Sequence, residues 1–84
     1  MYWIHILWDA DDDPEGNVQH IADNFVTKED VEWVLEHPEK QVTSRSSGRP
    51  IMFGYTPGDE RIAVVYEEID EYTVRPVTAY FVEE

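Results

Sequence analysis

The sequence predicts an α+β domain, in which two N-terminal helices pack on one face of a mainly antiparallel, twisted sheet. Amphipathic segments with the 3.6-residue repeat of helices occupy the first half of the chain. Short β-branched and aromatic segments, separated by turn residues, occupy the second half. With one strand before the helices, the predicted order is β-α-α-β-β-β-β. Its 84 residues are expected to form a single domain, residues 1–84.

The first strand is predicted over residues 2–8. Its two faces are both largely apolar, so both are expected to be covered and His5 to be a packing residue. Asp13 and Pro14 then form a typical helix start, an N-cap acceptor followed by proline at the first helical position. A helix is therefore predicted over residues 14–24. Its apolar stripe consists of Val18, Ile21, Ala22 and Phe25.

The second helix is predicted to begin at Thr27, because Thr27 and Asp30 have the spacing of a capping box. Pro38 ends it, since the residue before a proline avoids helical angles. His37 is expected to complete the negative C-terminal end of this helix. The connection between the helices is short, so they are expected to pair in an antiparallel-like arrangement. The buried stripe of the second helix consists of Val31, Val34 and Leu35.

The second half of the chain predicts four strands. The segment 61–68 is apolar on both faces and is expected to be central. Pro76 removes a donor from the last strand, which indicates an edge or a bulge. Thr56 to Asp59 has proline and glycine at the central positions of a type II turn. The strands are predicted over residues 40–45, 50–56, 61–68 and 72–82.

The composition is strongly acidic, with 6 Lys and Arg against 19 Asp and Glu and a formal net charge of -13. Such a charge repels RNA at long range. There is no cysteine, so neither disulfides nor thiol chemistry are available. No apolar run is long enough to span a bilayer and no signal peptide is evident, so the sequence predicts a cytoplasmic protein without membrane contact. The 42% hydrophobic content argues against disorder.

An ordered set of short segments accompanies this order of elements: Trp8-Asp9, Asn17, His20, Thr27, Val31, Gly48-Arg49-Pro50, Phe53-Gly54, Arg61 to Tyr66 and Val74 to Ala79. This set resembles the BrnT family of type II toxin–antitoxin toxins, which share the RelE-like ribonuclease fold. The resemblance implies a BrnT-like domain and an antitoxin partner. The chain departs from the family pattern at Gln19, where a basic residue is frequent, and at Tyr80, where an arginine is frequent.

The resemblance implies that an active protein would be an endoribonuclease, in which the ribose 2′-hydroxyl attacks the adjacent phosphate. Cations must then stabilise the phosphorane, and arginine suits this role because its planar fork matches phosphate oxygens. The candidates are Arg49, Arg61 and Arg75, with Arg45 in reserve. Arg49 and Arg75 are expected to approach each other on one sheet face and form the only positive spot. The alternative is that each arginine pairs with a carboxylate.

His20 is the candidate general acid or base, because its side chain titrates near neutrality. Asn17 and Asn24 lie on the same helical face and could orient the ring. The alternative is a partly buried histidine that hydrogen-bonds to the sheet or to Trp8. No cofactor is predicted. The acidic run from Asp9 to Asp13 lacks the glycine and the distant glutamate of a calcium loop, so no metal site is predicted either.

Three functions fit these observations. The first is a ribonuclease toxin that an antitoxin holds inactive. The second is a domain of the same origin that has lost catalysis and acts through protein contacts. The third is an acidic mimic that occupies the nucleic-acid groove of a basic protein. The charge of -13 favours the last two, so RNA cleavage is expected to be weak or absent.

Overall fold

The computed structural model describes residues 5–83, which form one five-stranded mixed sheet and two helices. The elements are β1 (His5–Ile6), α1 (Asn17–Asp23), α2 (Lys28–Glu36), β2 (Lys40–Thr43), β3 (Pro50–Tyr55), β4 (Arg61–Glu68) and β5 (Thr73–Phe81). The strand order is β1-β5-β4-β3-β2, with β1 parallel to β5 and every other pair antiparallel. This confirms the predicted α+β class and the predicted order of elements.

Helix α2 begins and ends where local signals place it. The hydroxyl of Thr27 accepts the N–H of Asp30 at 3.1 Å, and the Asp30 carboxylate accepts the N–H of Thr27 at 3.4 Å, which confirms the capping box. At the other end, Nδ1 of His37 lies 3.0 Å from the carbonyl oxygen of Trp33, just before Pro38. His37 thus closes the helix as expected, because its ring interacts with one of the last carbonyls.

Helix α1 begins later than predicted, with Gly16 rather than Asp13 as its N-cap. The carbonyl of Asp13 instead accepts the N–H of Gly16 at 3.0 Å in a turn. A Cβ on Gly16 would lie 2.7 Å from the Cβ of Asp9, so the chain is pressed against Asp9 at this point. The helix starts where Asn17 reaches the Asp9 carboxylate. Of the predicted stripe only Ile21 is buried: Val18 is half-buried, Ala22 is exposed, and Phe25 has a φ of 66° and is 85% exposed.

The first strand is covered on one face only. Ile6 and Trp8 pack against the core, whereas His5 and Leu7 on the other face are exposed. The expectation that both faces are covered is therefore wrong for this part of the strand, and His5 is not a packing residue. The predicted residues 2–4 lie outside the described residues.

Strand β4 has the predicted bounds and lies in the centre of the sheet. Pro76 lies opposite a change of register: Val65 pairs with Thr78 and Tyr66 with Pro76, so that Val77 is the extra residue. The bulge thus disrupts the ladder next to Pro76, where the missing N–H of proline is tolerated. The predicted bulge is therefore confirmed. The other predicted alternative, an edge strand, is wrong because β5 lies between β1 and β4.

The turn between β3 and β4 differs from the predicted type II turn. A type II turn needs a positive φ at its third residue, Gly58. Here the positive φ of 64° falls on the next residue, Asp59. Asp59 donates its N–H to the carbonyl of Thr56 at 2.9 Å, which closes the turn two positions before β4 begins.

The core lies between the helices and one face of the sheet. Gly54 on β3 permits close contact, since a Cβ there would lie 2.9 Å from Cγ1 of Val34 on α2. Among residues 5–83, no helix is long and apolar enough to cross a membrane. The core cluster consists of Ile21, Val26, Val31, Val34, Leu35, Met52, Ile62, Val64, Tyr66, Val74 and Ala79.

Candidate functional site

Asn17, at the start of α1, is a buried polar residue that joins three parts of the chain. Its carboxamide oxygen accepts the N–H of Asp9 at 2.8 Å, and its amide nitrogen donates to the carbonyls of Leu7 at 2.9 Å and Pro76 at 2.8 Å. Its own N–H donates to Oδ2 of Asp9 at 2.8 Å. Asn17 is 1% exposed, so water cannot readily replace these bonds. Asn17 therefore fixes the chain after β1 and the start of α1 against β5.

Arg75 on β5 is held by two carboxylates. One guanidinium nitrogen lies 2.8 Å from Oδ2 of Asp9, and the other lies 3.5 Å from Oε1 of Glu67. The pKa of Asp9 lies below its ordinary value, chiefly because the N–H of Asn17 donates to the carboxylate and also because Arg75 is adjacent. Asp9 is therefore ionised at neutral pH, and Arg75 contributes no unpaired positive charge to this surface.

His20 lies on the exposed side of α1, close enough to Asp9 for its charge to lower the pKa of that carboxyl further. Within residues 5–83 its imidazole makes no hydrogen bond. The side chain of Asn17 makes the hydrogen bonds described above, and the amide of Asn24 donates to the carbonyl of Ala79 on β5. The indole of Trp8 donates to a glutamate of α2. The two interpretations of His20 from the sequence are therefore both wrong in detail. Neither asparagine orients the ring, and the ring is neither buried nor bonded to Trp8.

Arg61 lies at the opposite end of β4 from this cluster. Its guanidinium donates twice to Oε1 of Glu39, at 3.1 and 2.9 Å, and lies 4.8 Å from the ring centroid of Phe53. Glu67, which pairs with Arg75, is six residues further along the strand. At roughly 3.3 Å per residue, the two arginines are about 20 Å apart along the sheet. Arg61 and Arg75 therefore do not form one site.

Arg49 lies in the connection between β2 and β3 and is exposed. Its N–H donates to the hydroxyl of Ser47 at 3.2 Å, and among the described residues no carboxylate lies within ion-pair distance of its guanidinium. It lies toward the same end of the sheet as Arg75, but β4 and Glu67 stand between them. Arg75 is already paired with carboxylates and Arg49 is not, so the positive spot shared by the two arginines stays a prediction.

The network around Asn17 was not anticipated as a unit. The sequence signal for it was present, because Asp9, Asn17 and Pro76 all belong to the ordered set that carries the BrnT-like resemblance. The structure shows that these members meet through hydrogen bonds. This part of the resemblance therefore marks residues that hold the fold together, with Arg75 attached to them.

The sheet face opposite the helices carries apolar side chains that no described helix covers. Phe53, Ala63 and Tyr80 lie side by side on neighbouring strands. Tyr80 is 38% exposed, whereas Ala63 is fully buried by its neighbours. Aromatic side chains at this spacing form cross-strand pairs that stabilise the sheet. By register, the apolar side chains of this face are Val42, Ile51, Phe53, Tyr55, Ala63, Val65 and Tyr80.

Charge is distributed unevenly along the chain. Residues 9–39 contain eleven Asp and Glu and only one basic residue other than histidine, Lys28. Residues 40–58, which form β2, β3 and their connection, contain Lys40, Arg45 and Arg49 but no Asp or Glu. Within the described part of the chain none of these three basic residues makes an ion pair. The β2–β3 hairpin (residues 40–58) is therefore a basic region on an acidic protein.

A depression of about 250 Å³ lies beside β2, on the sheet face that carries the helices and just beyond the end of α2. Burial raises the pKa of the Tyr66 phenol above its ordinary value, and the charge of Glu68 acts in the same direction. The phenol is therefore protonated at neutral pH and can only act as a hydrogen-bonding group. The depression is lined by Pro38, Glu39, Lys40, Gln41, Met52, Tyr66 and Glu68.

Two carboxylates of the acidic run after β1 contact other groups of the chain. Asp11 pairs with Lys28 at 3.2 Å, and the Asp13 carboxylate accepts the N–H of Glu15 at 3.0 Å. Among residues 5–83 no group of three or more metal-ligating side chains could hold an ion. These carboxylates instead bind neighbouring groups of the protein itself.

Comparison with protein-family models, with curated protein sequences and with solved structures found no match to this chain. The BrnT-like resemblance therefore stays a prediction that rests on the residues themselves.

Proposed function

We propose that this chain is a BrnT-like domain of the toxin family that has lost ribonuclease activity and acts by binding another protein. The observation that carries this proposal is that two of the candidate arginines are already paired with carboxylates. Arg75 faces two carboxylates and Arg61 donates twice to a third. A cation that already binds a carboxylate must break that pair before it stabilises a phosphorane, which removes much of its catalytic benefit.

The position of the remaining candidates supports the same conclusion. His20 is exposed and without a hydrogen-bonding partner in residues 5–83, so nothing fixes its ring near a reacting oxygen. General acid–base catalysis needs that group within hydrogen-bond reach of the proton it transfers. Arg49 is separated from Arg75 by β4. The net charge of -13 further opposes the approach of RNA.

The proposal is tested by incubating the purified protein with RNA at physiological salt and by expressing it alone in growing bacteria. We expect intact RNA and normal growth. The decisive variants are Arg75→Ala and Lys28→Ala, which each remove one cation from an ion pair with an aspartate. RNA loss and growth arrest that Arg75→Ala abolishes and Lys28→Ala retains would overturn the proposal in favour of an active toxin.

A further variant distinguishes a protein that has lost catalytic groups from one in which a carboxylate blocks them. Glu67→Gln removes one of the two carboxylates that face Arg75 without touching the Asn17 network. We expect this variant to bind RNA slightly more tightly than the wild type and still to leave it intact. Cleavage by Glu67→Gln would show that a single carboxylate suppresses an otherwise complete site, and the proposal would then be wrong.

The uneven charge favours a second candidate, an acidic mimic of nucleic acid. Residues 9–39 concentrate carboxylates, and those from Asp11 to Glu15 are all exposed. Such a surface could occupy the groove of a basic protein. The mimic predicts that proteins captured on the immobilised domain are basic and are released by duplex DNA. Capture that DNA does not reverse would reject it.

A further inference from the structure

Strand β2 (Lys40–Thr43) lies at one end of the strand order and pairs only with β3 among the described residues. Its residues are mostly exposed. The ladder bond from the N–H of Ser44 to the carbonyl of Arg49 fixes which residues bond to β3. Because such bonds alternate along an antiparallel pair, the backbone groups of Gln41 and Thr43 point outward. An outward row of this kind is a template for another strand.

The depression beside β2 lies where a side chain of an added strand would point. Gln41 pairs with Met52, whose side chain is 8% exposed and belongs to the core, so Gln41 lies on the same face of the sheet. Successive side chains of a strand point to opposite faces. A residue placed beside Gln41 with its side chain on this face would meet the depression, where Met52 and the Tyr66 ring provide apolar surface.

The size of the depression suits one side chain rather than a cofactor. Its volume of about 250 Å³ falls below the roughly 300–1,000 Å³ of typical small-molecule sites. In peptides that bind by strand addition, main-chain hydrogen bonds supply affinity and pockets for alternate side chains supply specificity. The edge of β2 and the depression together have both components.

Charge indicates what kind of peptide fits. Lys40, Arg45 and Arg49 make no ion pair within residues 5–83, whereas Lys28, Arg61 and Arg75 are all paired. The three unpaired cations all belong to the β2–β3 hairpin, which has no Asp or Glu. Complementary charge steers association and excludes partners of the wrong sign. Glu39 and Glu68 line the depression itself, so negative charges of a partner suit the positions of Lys40 and Arg49, whereas the side chain that enters the depression must be uncharged.

We propose that β2 binds an extended, acidic peptide segment of a partner protein, which adds as a sixth strand and inserts one apolar side chain into the depression. This inference rests on the proposed function, because it assigns a surface and a chemical class to the protein partner. Carboxylates of the peptide face Lys40 and Arg49, and its backbone bonds to Gln41 and Thr43.

The test begins with a displayed library of random ten-residue peptides selected on the wild-type protein. We expect the selected peptides to carry net negative charge and a recurrent apolar residue. A synthetic copy of the dominant peptide is then titrated against three variants: Lys40→Glu, Arg49→Glu and Lys28→Glu. Each variant changes the net charge equally. We expect at least a tenfold weaker affinity for the first two and less than a threefold change for Lys28→Glu, because Lys28 lies on α2.

Amide hydrogen exchange then locates the peptide. Strand addition predicts slower exchange at Gln41 and Thr43 in the presence of the peptide, with no change at the amides of α1. Filling the depression with Gln41→Trp is expected to weaken binding at least tenfold. The thermal unfolding of Gln41→Trp is measured alongside, to check that this variant folds. A second variant, Gln41→Lys, serves if it does not. Gln41→Lys should preserve binding of an acidic peptide, because it adds a cation at the rim of the depression.

Several results would overturn the inference. They are a failure to select any peptide, selection of basic or neutral peptides, equal weakening by Lys28→Glu, or protection confined to the uncovered sheet face. Self-association of the domain through β2, detected by sedimentation, would identify a second copy as the occupant and also reject it. The RNA assay on the same preparations keeps the two proposals apart. RNA cleavage rejects the proposed function, whereas intact RNA without binding at β2 rejects only this inference.

Discussion

Residues 9–39 and the β2–β3 hairpin (residues 40–58) differ both in charge and in how their polar groups are used. In the first segment, carboxylates and amides bind to backbone and to cations elsewhere in the chain, as Asp9 and Asn17 do. In the hairpin, Arg45 and Arg49 are exposed and unpaired within the described residues. The net charge of -13 thus includes one segment of opposite sign, because residues 40–58 carry three positive charges and no negative one.

This difference limits what the net charge implies. Long-range steering depends on the total charge, but a contact depends on the few charges within about 8–10 Å, the screening length at physiological salt. The total argues against RNA, whereas the hairpin offers a local site for a negatively charged group. The following predictions test whether polar groups in the acidic segment hold the fold while those of the hairpin remain available.

The largest effect is expected from Asn17→Ala. The substitution leaves the carbonyls of Leu7 and Pro76 without their side-chain donor, and each such buried group costs about 1–3 kcal/mol. We expect the free energy of unfolding to fall by about 3 kcal/mol, measured by urea denaturation. Asn24→Ala is the matched control, because Asn24 is exposed, and it should cost under about 1 kcal/mol. Equal losses in the two variants would contradict the role assigned to Asn17.

Gly54→Ala tests the packing of α2 on the sheet. Its new Cβ would lie 2.9 Å from Cγ1 of Val34 and 3.3 Å from the carbonyl oxygen of His37. Overpacking of this kind costs about 1–3 kcal/mol. Combining it with Val34→Ala should cost less than the sum of the two single changes, because the clash is relieved. Gly58→Ala, where a Cβ meets only ordinary contacts, is the control and should be nearly neutral. Additive effects would place the strain elsewhere.

Asp9→Asn is expected to change how stability depends on pH. The folded pKa of Asp9 lies below its ordinary value of 3.8, so its ionised form stabilises the fold above that pH. As the pH falls below 3.8 and through the lowered pKa, that contribution is lost. The stability difference between the wild type and Asp9→Asn should therefore be constant near neutrality and shrink in acid. Asp12→Asn, which removes an exposed carboxylate, should show no such convergence.

The smallest effect is expected in the hairpin. The double variant Arg45→Gln/Arg49→Gln removes two charges without breaking an ion pair among the described residues. Its unfolding free energy should stay within about 0.5 kcal/mol of the wild type. Arg75→Gln leaves Asp9 and Glu67 without their cation and should cost about 1 kcal/mol, a modest value because the pair is partly exposed. A larger loss of unfolding free energy in the hairpin variant than in Arg75→Gln would contradict the idea that the arginines of the hairpin do not hold the fold.

Several local structural signals were predicted well from the sequence. The capping box of Thr27 and Asp30, the bounds of β4 and the bulge opposite Pro76 all follow from neighbouring residues. The start of α1 was mispredicted although Asp13 and Pro14 give a strong local signal. There the hydrogen bonds between Asp9 and Asn17 decide the outcome, because a chain pressed against Asp9 leaves no room for an earlier helical turn.

The candidate residues show the same division. Their identity was readable, since arginine and histidine are the side chains that phosphate chemistry would need. Their environment was not readable, because the partners of Arg75 and Arg61 are distant in sequence: Asp9 lies 66 positions from Arg75, and Glu39 lies 22 positions from Arg61. No local pattern specifies which carboxylate reaches which guanidinium.

By itself, the sequence determined the class of fold, the order of its elements and the carboxylate-free hairpin, because these depend on periodicity, turn residues and composition. Only the tertiary structure decided that Asn17 is buried and hydrogen-bonds to three parts of the chain. It also decided that Arg75 and Arg61 are paired with carboxylates, and that β2 is an edge strand beside a depression. Each of those features depends on strand order and register, which bring together residues far apart in the chain. Register is set by the whole core at once, so no single segment encodes it.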